Sequence, residues 1–129
     1  MKLLLDTHTA LWWINEHEKL SKKAKAMLLN DSHTLHISIV SAWEISIKVS
    51  LGKLFGLNGG VRTFLAKLED MPVDLFPLTP RHVEMVETLP FHHRDPFDRL
   101  LVATAKVDGM TILTRDENIH LYDVPSVWE

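Results

Sequence analysis

Four acidic residues, Asp6, Glu44, Asp98 and Asp116, stand where a carboxylate has chemistry to offer beyond solubility. Asp6 ends the apolar run Lys2–Leu5, and Asp116 follows a second apolar run that finishes at Leu113 and Thr114. Either acid alone can cap a helix or make a turn. Together they set two carboxylates on one edge of a sheet. Asp98 lies in Asp95-Pro-Phe-Asp-Arg-Leu-Leu-Val-Ala-Thr-Ala105, where it shares a helix face with Leu101, Val102 and Ala105. That stripe points to the core, and an acid is seldom buried without a partner. Asp95, just before Pro96, is accounted for as the helix cap and is expected to support Asp98 rather than replace it. Glu44 sits in Val40-Ser-Ala-Trp-Glu-Ile-Ser-Ile-Lys48 and has two readings. One is a buried metal ligand; the other is an exposed i,i+4 pair with Lys48, which contributes only about 0.2–0.5 kcal/mol on a helix surface. The ligand reading is carried forward.

Two carboxylates about 4 Å apart repel by about 4 kcal/mol at an effective dielectric near 20, so four together require a compensating cation. The chain has no Cys, which leaves carboxylates, carbonyls and its eight His to hold one. Oxygen ligands select hard ions such as Mg²⁺, which keeps several waters and meets substrate phosphate. Such an ion lowers the pKa of a bound water and stabilises a leaving oxygen, the needs of phosphodiester hydrolysis. Two other classes compete. A phosphatase using Asp6 as nucleophile is disfavoured because His8, not a second acid, stands two places on and no lysine follows a later strand. A silent RNA- or protein-binding module would have no reason to retain four mutually repelling acids.

The elements that must carry these residues alternate. Lys2–Leu5 reads as a buried strand, and Thr7 is expected to cap a helix containing Leu11, Trp12 and Ile14. Ser21 opens a second helix, Leu35–Ile39 a second strand, and a helix is expected from Ser41 to about Gly52. After a turn at Leu57–Gly60, Val61–Leu68 is helical and Val73–Phe76 is a short extended piece between Pro72 and Pro77. Thr79-Pro80 starts a helix whose buried side is expected to be Val83, Val86 and Leu89. Asp95-Pro96 starts another, closed by Asp108-Gly109, and Met110–Leu113 is a buried strand. About four strands and six or seven helices predict an α/β domain with a mainly parallel sheet and a ligand site beyond the strands' carboxyl ends.

Composition agrees with one such domain over residues 1–129: 46% hydrophobic and 24% charged residues are ordinary for a soluble chain. No apolar run reaches the roughly 18 residues that span a bilayer, and Asp6 comes too early for a signal peptide, so a cytoplasmic protein without membrane contact is expected. The net charge of −3 argues against broad electrostatic adhesion to nucleic acid. A local basic rim is still available from Arg94, Arg99 and Arg115, of which Arg99 and Arg115 are expected to meet substrate or support the acids. Lys19, Lys22, Lys23 and Lys25 read as a solvated helix face. His92 and His93 have the chemistry to touch phosphate or donate a proton, but a His pair in a polar loop is expected in solvent. Trp12, Trp13 and Trp43 offer base stacking, with packing the simpler expectation at helical spacing.

Four short motifs occur in order: Leu-Leu-Leu-Asp6-Thr-His-Thr-Ala-Leu-Trp12, Ser41-Ala-Trp-Glu44-Ile-Ser-Ile-Lys48 with Leu-Gly-Lys53-Leu, His93-Arg-Asp-Pro-Phe-Asp98-Arg-Leu-Leu, and Ile112-Leu-Thr-Arg-Asp116. In this order the chain resembles PIN-domain toxins of the VapC type over nearly its whole length. The resemblance implies a three-layer α/β/α sandwich and an endoribonuclease dependent on Mg²⁺ or Mn²⁺. It further implies an RNA substrate, with transfer RNA as one candidate, a homodimer, and inhibition by a cognate antitoxin protein. It assigns Asp6, Glu44, Asp98 and Asp116 to the metal and catalytic site, with Thr7 and Thr114 as neighbouring polar positions. Asn118 departs from the further acid that many PIN domains carry, which bears on a second metal site. His8 replaces the Asn or Ser common elsewhere and resembles one branch of the toxins.

Overall fold

The computed structural model describes residues 1–54 and 57–129. The order is β1 (Lys2–Leu5), α1 (Thr7–Ile14), α2 (Lys22–Leu29), β2 (Thr34–Ser38), α3 (Ile39–Ser50), α4 (Gly60–Glu69), β3 (Asp74–Phe76), α5 (Pro80–Thr88), α6 (Pro96–Asp108), β4 (Thr111–Leu113), α7 (Glu117–His120) and β5 (Ser126–Val127). The five strands form one sheet in the order β3-β2-β1-β4-β5, and every pairing is parallel. The expected parallel α/β fold is therefore present, with one strand more than the sequence patterns indicated. The missed strand, β5, is two residues long, too short for any periodicity to register.

Strand alternation explains the layers. Leu3, Leu5, Leu35, Ile37 and Leu113 point into one core with Ala10, Leu11, Ala24, Leu28, Ile45 and Phe64. Leu4 and Ile112 point the other way, into a second core with Leu101, Val102, Ala105 and Tyr122. Both faces of the sheet are covered, which is why its strands read as continuous apolar runs.

The caps refine several expectations. Asp6, not Thr7, is the N-cap of α1, accepting from the backbone N–H of Thr9 at 2.9 Å. The helix after β2 starts at Ile39, capped by Ser38, two residues before the expected Ser41. Helix α6 begins as foreseen, with Asp95 accepting from Phe97 and Asp98 N–H groups and Pro96 at the first helical position, and it ends at Gly109 with φ 66°. On α5, Val83 is 55% exposed while His82 is buried, turned inward by contacts to Thr79 and Asp108. There the apolar period was misleading because a polar side chain found partners inside.

The sheet order fixes where a ligand must go. From central β1 the chain builds outward through β2 and β3, then crosses to the other side for β4 and β5. A crevice opens at such a switch, outside the carboxyl ends of β1 and β4. Asp6 follows the first of these strands, and Thr114 to Asp116 follow the second.

Candidate active site

Asp6 and β4 are stitched together at that crevice. The Asp6 N–H donates to Leu113 O at 3.3 Å, the Thr9 hydroxyl donates to the same carbonyl at 3.1 Å, and Thr114 Oγ1 donates to Asp6 Oδ2 at 2.5 Å. Thr114 in turn accepts from the Asp116 N–H at 3.0 Å, so one hydroxyl orients both acids. Asp116 Oδ1 caps the short helix α7 by accepting from Asn118 N–H at 2.8 Å. The plain capping roles open to Asp6 and Asp116 are thus realised, and both carboxylates keep lone pairs beyond those these donors use.

Glu44 is 3% exposed. Its Oε1 lies 2.6 Å from Thr7 Oγ1, which is also 2.9 Å from Ser41 Oγ. A hydroxyl has one proton, so Thr7 gives it to the carboxylate and accepts from Ser41. Glu44 Oε2 meets Lys48 Nζ at 2.5 Å. The sequence posed burial and the i,i+4 pair as alternatives; the structure has both, because the lysine reaches in alongside its helix. The rings of Trp43 and Phe97, one residue before Glu44 and Asp98, meet edge to face at 5.1 Å and hold α3 beside α6.

Asp98 terminates a chain of donors. Arg99 Nη1 donates to Tyr122 Oη at 3.0 Å, Tyr122 Oη is 2.9 Å from His93 Nδ1, and His93 Nε2 is 3.1 Å from Asp98 Oδ2. Arg99 only donates, so Tyr122 Oη accepts from it; the tyrosine proton has two acceptors, His93 Nδ1 and the His93 carbonyl at 3.3 Å, and when it goes to Nδ1 a neutral imidazole donates from Nε2 to Asp98. Burial pushes the Asp98 carboxyl up to about 7, and the charges of Asp95, Asp116 and Asp6 push in the same direction, against the His93 hydrogen bond. Burial likewise raises Asp6, opposed by its bonds to Thr114 and Thr9. The charges of Asp116 and Asp6 therefore reach the Asp98 carboxyl and oppose its ionisation, the condition that a divalent cation relieves.

The sequence profile of the PIN domain family matches residues 3–125. The chain belongs to the PIN domain family. This PIN domain is 28% identical over 130 residues to "Ribonuclease VapC22" of Mycobacterium tuberculosis, covering 98% of each chain. Its fold is similar to that of VapBC2 from Rickettsia felis, solved bound to a DNA fragment from their promoter (TM-score 0.73, 16% identity, 100% of each chain). It is also similar to VapBC-1 from nontypeable Haemophilus influenzae (TM-score 0.65, 16% identity, 98% of this chain and 97% of that one). The fold expected from the motifs is thereby shown.

Among the described residues of this PIN domain, no three acidic or histidine side chains stand assembled as a coordination sphere. Each carboxylate is tied to its own donors instead. The chemistry of the set still fits Mg²⁺ or Mn²⁺: the donors are oxygen, Asp6 and Asp116 line one crevice, and the Asp98 carboxyl, raised to about 7 by burial, also feels both of their charges.

Two of the candidate residues land elsewhere. Arg99 is 4% exposed and faces no crevice: its guanidinium donates to the carbonyls of Pro90, Val86 and Leu89 at the end of α5 and stacks 4.2 Å from the Phe91 ring. It supports Asp98 only through Tyr122 and His93, and the expected contact with substrate is corrected. His93, expected in solvent, is half-buried between Asp98 and Tyr122, while His92 is exposed and packs its ring against Tyr122 at 4.8 Å. Arg115 is exposed and lines the crevice with Asp6 and Asp116, as the rim reading required. The residues that sequence reasoning missed, Ser41, Thr9 and Tyr122, act through partners 34, 104 and 29 positions away, and no local pattern marks them.

Proposed function

We propose that this PIN domain is a divalent-metal-dependent endoribonuclease that hydrolyses RNA phosphodiester bonds, acting in the cytoplasm as the toxin of a toxin–antitoxin pair. The observation that carries this reading is the pairing of Asp6 and Asp116 in one crevice beyond the carboxyl ends of β1 and β4, both held by Thr114, with Asp98 near enough for their charges to act on it. The ribonuclease relative and the VapBC structures support the same assignment. Asp6, Asp98 and Asp116 would hold Mg²⁺ or Mn²⁺, with Glu44 beside them. A cation held there would supply a water of lowered pKa and neutralise phosphate charge. Thr114 fixes the orientation of Asp6, Thr7 that of Glu44, and His93 that of Asp98, so the ligands do not have to be ordered when the ion arrives. Asp95 holds the start of α6 and adds the negative charge that helps keep Asp98 in need of a cation. Arg115, which lines the open side of the crevice, would meet a phosphate.

The antitoxin has a seat in this reading. Trp13, Leu20, Leu28 and Leu29 line an apolar groove at α1 and α2, flanked by Glu16 and Lys25, which suits an amphipathic helix. Its continuing tail would set an Arg or Lys among the carboxylates. Trp43, 53% exposed and packed on Phe97, offers a second copy of the chain an apolar contact.

Purified protein incubated with a small-RNA pool that includes transfer RNA is expected to cut in Mg²⁺ or Mn²⁺ and to stop in chelator. Metal-independent RNA binding without cutting would overturn the nuclease and leave a binding module.

A further inference from the structure

The acidic crevice has an aromatic wall that the metal chemistry does not use. Asp6, Asp116, Arg115 and Glu117 share an open cleft of about 360 Å³ with His8 and Trp12, a volume inside the roughly 300–1,000 Å³ range of small-ligand sites. His8 and Trp12 are four apart on α1 and so lie on one helix face. Their ring centroids are 5.9 Å apart and their planes differ by 24°, an offset stack. His8 is exposed. Trp12 is half-buried and pinned from the other sides by the edge of Trp128 at 5.9 Å, by His17 at 6.3 Å and by the Lys19 ammonium 5.8 Å from its ring.

We propose that His8, backed by Trp12, is a nucleobase platform: it stacks the base of the nucleotide whose phosphate reaches the carboxylates. The proposal rests on the RNA-cleaving reading and adds to it a subsite for single-stranded nucleic acid. Three features favour a base over other occupants. The wall is a flat π surface, and every base has a π face to lay on it. The wall begins two residues after Asp6, so a base lying on it belongs to a nucleotide whose phosphate is next to the metal ligands. The pinned Trp12 leaves little side-chain freedom to lose on binding, which makes the platform pre-formed. The carboxylates discourage an anionic group in the cleft without metal, so the neutral base is the part of a nucleotide that the wall accepts, while Arg115 and the cation take the phosphate. A platform of this kind sets a preference for unpaired nucleotides over duplex, whose bases are already stacked.

The test uses two uncleavable probes with Mn²⁺ present, a 2′-O-methyl hexanucleotide of mixed sequence and the abasic backbone of the same length, each followed by fluorescence anisotropy. Wild type is expected to prefer the base-bearing probe by roughly tenfold or more, the ordinary worth of a base–aromatic stack. In His8→Ala that preference collapses, and in His8→Phe it survives. His8 is exposed and Ala is a good helix former, so circular dichroism should report unchanged folding in the first variant. A His8→Ala protein that keeps the full preference overturns the platform. So does a wild type that binds both probes equally in a Mn²⁺-dependent way, a result that leaves the nuclease standing. Failure of both probes to bind in Mn²⁺ overturns the nuclease reading and the platform with it.

Discussion

Asp98→Asn should abolish RNA cleavage and yet leave a more stable protein. The loss is expected to reach about 10³-fold or more, because the amide removes a charged ligand from the cation, and each 1.36 kcal/mol of lost transition-state stabilisation is tenfold in rate. The gain in stability follows from the raised carboxyl. A folded-state value of about 7 against the ordinary 3.8 means that the folded protein holds more protons than the unfolded chain across that interval. The Asp98 contribution to the stability of the metal-free wild type therefore falls as pH rises from about 4 to 7 and is level above it. A shift of this size corresponds to roughly 4 kcal/mol, of which relaxation of Asp95, Asp116 and Asp6 recovers a part. Asn carries no charge and still accepts from His93, so the metal-free variant should be about 2 kcal/mol more stable than wild type at pH 8 and indistinguishable near pH 4. Thermal unfolding in chelator from pH 4 to 8 checks this. Added Mn²⁺ should raise the wild-type midpoint and leave the variant's unmoved. A variant that is less stable than wild type at pH 8 would contradict the electrostatic account of the site.

Arg99→Ala should be the most damaging change outside the crevice. The guanidinium satisfies the carbonyls of Val86, Leu89 and Pro90, where α5 ends and its last C=O groups have no helical partner. It also supports Tyr122 at 3.0 Å. Hydrogen bonds from a charged donor contribute about 1.5–3 kcal/mol each and are not additive, so a loss of about 3 kcal/mol or more is expected. That is a fall in Tm of roughly 10 °C for a chain of this size. Arg99→Lys keeps the charge but not the planar fork and should recover less than half. Thermal denaturation of the two variants beside wild type decides it, and a loss under about 1 kcal/mol in Arg99→Ala would mean that water replaces the guanidinium at little cost.

These two residues are adjacent, and they differ in how far the sequence revealed them. Asp98 was legible because an acid at the i, i+3, i+4 and i+7 positions of an apolar stripe has no ordinary explanation. Arg99 was expected to meet substrate or support the acids because it flanks an acidic position, and only the indirect support is present. The corrective signal was present: α6 is apolar on more than one side, with Leu100, Leu101, Val102, Ala103 and Ala105 in succession broken only by Thr104, so a helix covered on two faces carries its arginine into the interior. Asp6 and Asp116 were legible from strand ends alone. The burial of Glu44 was legible with a false choice attached, since a lysine one turn on can reach a buried carboxylate.

What the sequence withheld is what depends on distant pairing. Tyr122 lies 29 positions from His93, and a hydrogen bond between them leaves no trace in either residue's neighbours. The β5 strand exists because Ser126 and Val127 find Ile112 and Leu113 beside them, not because two residues have any propensity to be extended. Register, donor direction and the occupancy of each lone pair are tertiary facts, whereas the positions of the acids follow from local elements.

The account stands or falls on the cation. The most direct measurement is calorimetric titration of Mn²⁺ into wild type at pH 6 and pH 8, in two buffers of different ionisation enthalpy. Binding should be tighter at pH 8, and at pH 6 it should release close to one proton, because the ion displaces the proton that Asp98 holds below about 7. Absence of binding heat at both values, from protein shown to be folded, would contradict the claim that these carboxylates form a metal site.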